Sequence, residues 1–331
     1  TSLPAVVIKP DGEDSWSSNL QFTDPGSLTS DELIEKVRQA GVVGMGGAAF
    51  PAHVKMSPPP EKPIHTLLFN GVECEPYLTS DHRMMLEESE RVLQGVALLQ
   101  YVYGAERVVI GIEANKPDAI ALLKKQCVDA PVEILPLQVK YPQGAEKQLI
   151  FAATGREVPS GGLPMDVGVA VHNVSTAAAV TDAVMLGRPL IERVCTVTGP
   201  AIKEPKNLRI RIGMPLSHLV KVCGGLVEEP GKIILGGPMM GFTQVGFDVP
   251  VIRGSSGLLL LRVEDIANSP EGPCIRCARC VQACPMNLLP TAIAAYARRS
   301  LVEETEEYCA MDCIECGSCS YVCPANIPLV Q

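Results

Sequence analysis

Residues 274–285 read CIRCARCVQACP and residues 313–324 read CIECGSCSYVCP, so the pattern C-x2-C-x2-C-x3-C-P occurs twice and takes eight of the chain's 13 cysteines. A cubane iron–sulfur cluster needs four thiolates converging from several directions. Three cysteines at three-residue spacing wrap one corner of such a cluster, and the fourth must come from elsewhere in the chain. Structural zinc sites instead pair two C-x2-C knuckles across a longer loop, which neither run does. The two runs therefore predict two 4Fe–4S clusters. Cys309, four residues before the second run, reads as a bystander. Cys74, Cys127, Cys195 and Cys223 are scattered in apolar surroundings and read as buried small hydrophobes.

In the spacing of bacterial two-cluster ferredoxins, the fourth cysteine of each run ligates the other cluster. On that pattern Cys274, Cys277, Cys280 and Cys323 hold one cluster, and Cys313, Cys316, Cys319 and Cys284 hold the other. Pro285 and Pro324 fit the turn after each fourth ligand. Two clusters with crossed ligands form a short wire, which needs only a fraction of 331 residues. The rest of the chain must bind whatever loads or unloads it.

The elements that could do so read as several domains, because 331 residues exceed one compact core. TSDELIEKVRQAG (29–41) has Thr29 as N-cap, Glu32 three residues on and a closing Gly41, a capping-box helix. IHTLLF (64–69) reads as a buried strand, RMMLEESERVLQGVALLQYV (83–102) as one long amphipathic helix and RVVIGIE (107–113) as a second strand. KPDAIALLKKQ is a helix, PVEILPLQV a third strand and STAAAVTDAVMLG (175–187) a further helix. Strand, helix and strand at this spacing predict an α/β unit with a parallel sheet. Between 190 and 262 short strands surround one short helix, the texture of a β-grasp-like α+β module. From Asn268 on, cysteines punctuate short helices, and the two runs look like a duplicated unit.

A net charge of −9 with no basic run argues against nucleic acid as a partner. No apolar stretch approaches the roughly 20 residues that span a bilayer; GLLLL (257–261) is typical of the longest. The N-terminus TSLPAVVIKPDGED has neither the basic start nor the apolar core of a signal peptide. It does not begin with Met, and VVIKP reads as the end of a strand entered midway, so a fragment is expected. Thirteen cysteines without a secretory signal suggest a reducing compartment and metal ligation.

VGMGGAAFP (43–51) is rich in glycine but is not G-x-G-x-x-G, and it follows a helix rather than a strand. Its bare backbone and the nearby Lys55 suit a phosphate or a flat ring, while packing or turn formation explains the glycines equally well. GMGGAAFPAHVKM, FNGVECEPYLTSDHRMM (69–85), YPQGAEKQ (141–148) and VHNVSTAAAV (171–180) resemble the C subunit of the Rnf electron-transport complex, in order and over nearly the whole chain. They are also similar, more distantly, to the flavin-bearing subunit of respiratory complex I. Met45, Ala49 and Val72 stand where the complex I subunit has Arg, Gly and Asp, and the Rnf pattern fits them better.

The resemblance implies a non-covalent FMN beside a nicotinamide site. Gly44, Gly46, Gly47 and Lys55 would hold the FMN, Asn70 and Glu73 would lie at its ring and ribityl chain, and Tyr141, Glu146, Asn173 and Thr176 would complete the pocket. Phe50 would stack on NADH and Glu75 would bind its adenosine side. Read from the residues alone, Glu75 could pair with Lys55 or Arg83, and Asp81 could be the N-cap of a helix. His53, His65, His172 and His218 show no spacing for a metal.

The implied architecture is a Rossmann-like α/β flavin/NADH domain at 27–189, a soluble-ligand-binding β-grasp domain at 190–265 and a two-cluster ferredoxin-type α-helical domain at 266–331. Residues 1–26 would be the end of a truncated barrel-sandwich-like domain and a linker. The implied activity is an NADH-dependent flavin/iron–sulfur oxidoreductase, the electron-input subunit of an ion-translocating complex. Its partners would be other membrane subunits, one of them an iron–sulfur subunit, and eventually ferredoxin. It would lie peripherally on the cytoplasmic face of a bacterial inner membrane. No general acid or base is required, since the hydride passes between cofactors. The alternatives are a flavoprotein cobalamin reductase of a microcompartment and a non-enzymatic iron–sulfur relay.

Overall fold

The computed structural model describes residues 6–13, 15–18, 20, 22–266 and 270–331. The first helix, α1 (Ser30–Gln39), begins at the expected capping box: Thr29 N donates to Glu32 Oε2 at 2.8 Å and Glu32 N donates to Thr29 Oγ1 at 3.4 Å. Leu33 and Val37 point from it into the core. The chain turns at Gly41, runs through the glycine-rich loop, which a bridge between Val43 and Pro51 closes, and enters α2 (Ala52–Lys55).

Four strands follow, β1 (Thr66–Asn70), β2 (Arg107–Glu113), β3 (Val132–Leu137) and β4 (Val169–Asn173), all parallel in the order β3-β2-β1-β4. Helices α3 (Ser80–Glu87), α4 (Ser89–Tyr103), α5 (Pro117–Gln126) and α6 (Glu146–Thr154) make the crossovers, and α7 (Val174–Met185) leaves the end of β4. The sheet is buried on both faces. Leu67 and Phe69 pack with Val92, Val96, Leu99, Ala177 and Val180 on one side, while Leu68, Val109, Leu149, Ile150 and Val171 fill the other.

One expectation fails here. Residues 83–102 are not one helix, because Glu88 leaves helical geometry at φ −125°, ψ 26° and separates α3 from α4. The break lets the Glu88 carboxylate take Arg91 Nη1 at 2.9 Å and also reach Arg209, far away in the chain.

The second sheet holds β5 (Glu192–Thr198), β6 (Lys206–Arg211), β7 (Lys232–Leu235), β8 (Phe242–Gln244) and β9 (Gly257–Leu261) in the order β6-β5-β9-β7-β8. It is mixed, with β5 and β9 parallel and the other pairs antiparallel, and α8 (Leu216–Val222) supplies Leu216 and Leu219 to its core beside Cys195 and Cys223. Arg193 on β5 ties the two sheets together. Its guanidinium is buried and donates to Met45 O at 3.2 Å and to Arg253 O. The C-terminal lobe carries the short helices α9 (Arg279–Ala283), α10 (Pro290–Ala297), α11 (Val302–Glu307) and α12 (Ser318–Tyr321) around Cys280, Ile327 and Leu329.

Val6, Val7 and Ile8 are exposed and form no strand, unlike the reading of VVIKP. Among the described residues no helix is long and apolar enough to cross a membrane.

Candidate functional site

In an open parallel sheet, ligands bind outside the carboxyl ends of the strands where the strand order reverses. Here that point lies between β1 and β4, whose last residues, Asn70 and Asn173, are paired in register. Asn173 also caps α7, accepting from Ser175 N at 2.8 Å and Thr176 N at 3.4 Å. The glycine-rich loop is pinned over this helix start: Met45 N donates to Thr176 Oγ1 at 2.9 Å, and a Cβ on Gly46 would lie 3.6 Å from Asn173 Cβ.

Gly47 has φ +121°, which an L side chain rarely adopts, and a Cβ there would meet nothing within 4 Å. The amides of Gly46 and Gly47 donate to no described protein group. Lys55 Nζ reaches in from α2 to Glu146 Oε2 at 2.8 Å and Val171 O at 3.0 Å, and Asn70 Nδ2 donates to Gly144 O at 2.7 Å. The fold thus brings Gly44, Gly46, Gly47, Lys55, Asn70, Glu146, Asn173 and Thr176 to one crevice. Two bare amides, open space above a glycine, a lysine and two asparagines fit an anionic ligand with a flat ring.

Two of the expected residues, Glu73 and Glu75, face elsewhere. Glu73 caps α3, accepting from Asp81 N at 2.8 Å, His82 N at 3.0 Å and Ser80 Oγ at 3.1 Å. Glu75 accepts from Met239 N at 3.1 Å and Met240 N at 2.8 Å, and so holds the β-grasp loop rather than Lys55 or Arg83. Lys55 belongs to Glu146 and Arg83 to Glu87. Phe50 stands half-exposed at the rim of the loop.

Asp81 is not a cap, because Glu73 already supplies that function. Its carboxylate accepts from Asn173 Nδ2 and Ser175 Oγ, both at 2.6 Å, and braces the N-terminus of α7 from below. Although Glu73 and Asp81 each keep some surface in solvent, their carboxylates are turned inwards. Burial, then the Asp81 carboxylate, push Glu73 up to about 7; burial also raises Asp81, against the pull of Ser175 and Asn173.

A second support lies beneath Lys55. Tyr103 Oη donates to Lys55 O at 2.8 Å and lies 2.8 Å from His172 Nε2, where it accepts a hydrogen bond from the Nε2–H tautomer of a neutral imidazole. Burial drives His172 down to about 3, so it stays neutral. Asp81, Ser175, Tyr103 and His172 were missed as site residues. Only their presence inside the quoted motifs EPYLTSDHRMM and VHNVSTAAAV hinted at three of them.

In the C-terminal lobe Cys284, Cys313, Cys316 and Cys319 line one pocket with Met286, Ile293 and Leu329, the crossed set expected from the spacing. Cys274 and Cys323 lie near enough to Cys280 to act on it electrostatically, which gathers three of the other set. Backbone amides point at the sulfurs: Arg276 N at Cys274 Sγ, Leu288 N at Cys284 Sγ and Glu315 N at Cys313 Sγ, each 3.4 Å.

The duplication is visible in the backbone. Arg276 and Glu315, Ala278 and Gly317, and Asn287 and Asn326 occupy equivalent positions in the two runs, and all six have positive φ between 52° and 78°. Left-handed geometry costs a non-glycine residue about 1–2 kcal/mol, so its repetition around two sets of four thiols fits loops shaped to wrap clusters. Among the described residues no group of three or more His, Cys, Asp or Glu could hold a single metal ion. Cubane ligands stand at the corners of a cluster rather than around one ion.

Cys309 is exposed, and Cys127, Cys195 and Cys223 are buried. Cys74 is half-buried beside Gly144, and burial raises its thiol to about 11. Tyr141 joins crevice to lobe, its hydroxyl donating to Cys316 O at 2.8 Å.

A switch-point crevice hydrogen-bonded to a double cysteine lobe, with a β-grasp domain packed against both, defines a modular flavin and iron–sulfur electron-transfer chain. The comparisons agree: residues 37–182 match the Nuo51 FMN-binding domain, 194–243 the SLBB domain and 273–327 the 4Fe-4S dicluster domain. The chain is 50% identical over 310 residues to the C subunit of the proton-translocating ferredoxin:NAD(+) oxidoreductase complex of Clostridium ljungdahlii, covering 93% of itself and 68% of that protein. It is 48% identical to the Na(+)-translocating counterpart of Acetobacterium woodii, covering 93% and 70%, and 44% identical to the C subunit of the ion-translocating oxidoreductase complex of Rhodobacter capsulatus, covering 99% and 64%. The chain belongs to this family of complex C subunits. It spans about two thirds of the length of these relatives, and 41% of one from Erwinia tasmaniensis. The crystal structure of an NAD+-reducing [NiFe]-hydrogenase in the H2-reduced state shares the fold, with a TM-score of 0.60 at 20% identity over 71% of this chain and 47% of that one.

Proposed function

We propose that the chain is the electron-input subunit of an ion-translocating complex, exchanging electrons between NADH or NAD+ and ferredoxin by way of FMN and two 4Fe–4S clusters. It would be a peripheral subunit on the cytoplasmic face of a bacterial membrane, held there by other subunits, one of them an iron–sulfur protein. FMN, when bound, supplies the exchange between a two-electron hydride carrier and one-electron clusters. The chain supplies position. Lys55, balanced by Glu146 and braced through Tyr103 and His172, presents an ammonium for the phosphate, and the Gly46 and Gly47 amides add donors without bulk. Gly44, Asn70, Glu73, Tyr141, Asn173 and Thr176 form or support the walls, either in the crevice or directly behind it. Phe50 at the rim and Glu75, which holds the β-grasp loop, are the residues assigned to NADH. The cysteine sets Cys274/Cys277/Cys280/Cys323 and Cys284/Cys313/Cys316/Cys319 hold the clusters.

The observation that carries this reading is the hydrogen bond from Tyr141 to Cys316, which joins the α/β domain to one cysteine set. The test is flavin titration of the chain followed by quenching of flavin fluorescence. FMN should bind one to one and about tenfold or more tighter than riboflavin, the worth of one charge-assisted hydrogen bond. That preference should vanish in Lys55→Met. Equal binding of FMN and riboflavin to the wild type, or no binding of either, refutes it.

A further inference from the structure

The hydrogen bonds that the α/β domain sends into the C-terminal lobe land beside one cysteine set. Tyr141 reaches Cys316 O at 2.8 Å, Gln148 Nε2 reaches Pro285 O at 3.1 Å and Ser160 Oγ reaches Asp312 Oδ1 at 2.9 Å. The β-grasp domain closes on the same side, where Met239 O lies 3.2 Å from the place of a Cβ on Gly317. None of these bonds reaches residues 272–281, and there Cys274, Ile275 and Cys277 are exposed.

Charge divides in the same way. From 272 to 297 the only charged side chains are Arg276 and Arg279, and 316–331 holds none. Both arginines are exposed and neither makes an ion pair with a described residue. The nearest acid in sequence, Glu271, is held by Arg298 at 2.5 Å. The segment joining the runs is opposite in sign, with Glu303, Glu304, Glu306, Glu307 and Asp312 outnumbering Arg298 and Arg299. On a chain of net charge −9, one pair of cluster cysteines therefore stands in a stretch whose only charges are two arginines, around an exposed isoleucine.

We infer that the set of Cys274, Cys277, Cys280 and Cys323 is the outer end of the wire. Arg276, Arg279 and Ile275 form the face on which an acidic one-electron carrier protein of ferredoxin type docks. The inference rests on the flavin and iron–sulfur reading above, and it adds an order to the two sets: Cys284/Cys313/Cys316/Cys319 on the crevice side, the other outward. One electron crosses the face with no bond made or broken and no proton moved, oxidising the chain and reducing the carrier, or the reverse. A basic rim on the chain and an acidic rim on the carrier steer the encounter and make it sensitive to salt.

The test uses the full chain loaded anaerobically, with a purified acidic two-cluster ferredoxin as probe. Arg276→Glu/Arg279→Glu reverses the patch, and position 276 should tolerate it, because Glu315 occupies the equivalent left-handed position of the second run. Lys124→Glu/Lys125→Glu on α5, also exposed, makes the same change in net charge elsewhere. At low salt the rate to ferredoxin, relative to that to a small neutral acceptor, should fall about tenfold or more in the patch variant and lose its decline with salt. The lysine variant should keep the wild-type ratio. An unchanged ratio in the patch variant, or an equal loss in the lysine variant, overturns the docking face.

Order is read separately in Cys277→Ser. Where about half the iron remains, NADH should still reduce the remaining set, seen by electron paramagnetic resonance, while delivery to ferredoxin is lost. A retained set that NADH cannot reduce overturns the order, and if all iron is lost the arginine variant decides alone. A wild type that NADH never reduces would sink the NADH reading instead, and dithionite-reduced chain would still report on the docking face.

Discussion

A methyl group at Gly95 should damage both the α/β domain and its crevice. A Cβ at this position of α4 would stand 1.9 Å from Ala177 O, 2.4 Å from Ala177 C and 2.9 Å from Ala177 Cα, all backbone atoms of α7. Two effects of opposite sign compete in Gly95→Ala. Alanine is the better helix former by up to about 1 kcal/mol. Against that, α4 and α7 must part by about 1.5 Å to regain ordinary contact, and no side chain can rotate to absorb the strain. Overpacking of this kind costs about 1–3 kcal/mol where neighbours can yield, and more where they cannot, so a net loss of about 2–3 kcal/mol is expected.

The damage should reach the crevice, because α7 carries Asn173 at its cap and Ser175 and Thr176 in its first turn. FMN affinity should fall about tenfold, a shift of about 1.4 kcal/mol. Urea unfolding followed by circular dichroism measures the first effect, and flavin fluorescence titration the second. Stability within about 0.5 kcal/mol of wild type together with unchanged FMN binding would refute the close crossing and its coupling to the site.

Other outcomes follow from the same geometry. Glu73 has a folded pKa raised from 4.5 to about 7, so its contribution to stability is fully present below 4.5 and is lost as pH rises through about 7. Glu73→Gln should flatten that part of the stability–pH curve, and an identical slope in the variant would contradict the assignment. Cys323→Ser should strip the cluster of Cys274, Cys277 and Cys280 and lower iron from about eight to about four per chain, whereas Cys309→Ser should leave about eight; iron analysis of both decides. Gly47→Ala meets no atom yet forces φ +121°, a strain of about 1–3 kcal/mol in the loop, and should weaken FMN binding. Gly104→Ala, at φ +61° at the end of α4, should cost about 1 kcal/mol of stability and leave FMN binding alone.

Much of the fold and of the site is legible in the amino-acid order, for local reasons. Cysteine spacing is itself geometry, and it leads to the crossed set that lines the pocket of Cys284, Cys313, Cys316 and Cys319. The capping box at Thr29 needs only four neighbouring residues, and the buried strands announce themselves by unbroken apolar runs. What stays hidden depends on distant partners. Glu88 breaks the helix at 83–102 in reach of Arg209, which no local pattern could reveal. Glu75 turns to the amides of Met239 and Met240, and Asp81 to Asn173 and Ser175, across more than ninety positions in each case. Gly95 looks like a weak point in a helix until Ala177 is seen against it.

The most direct test of the central reading is the cofactor content of anaerobically purified chain, followed by NADH. Iron, acid-labile sulfide and extracted flavin should come to about eight, about eight and one per chain, and NADH should bleach the absorbance of the bound centres. A full complement of iron with no flavin, and no bleaching by NADH even after FMN is supplied, would contradict the account and leave an iron–sulfur relay.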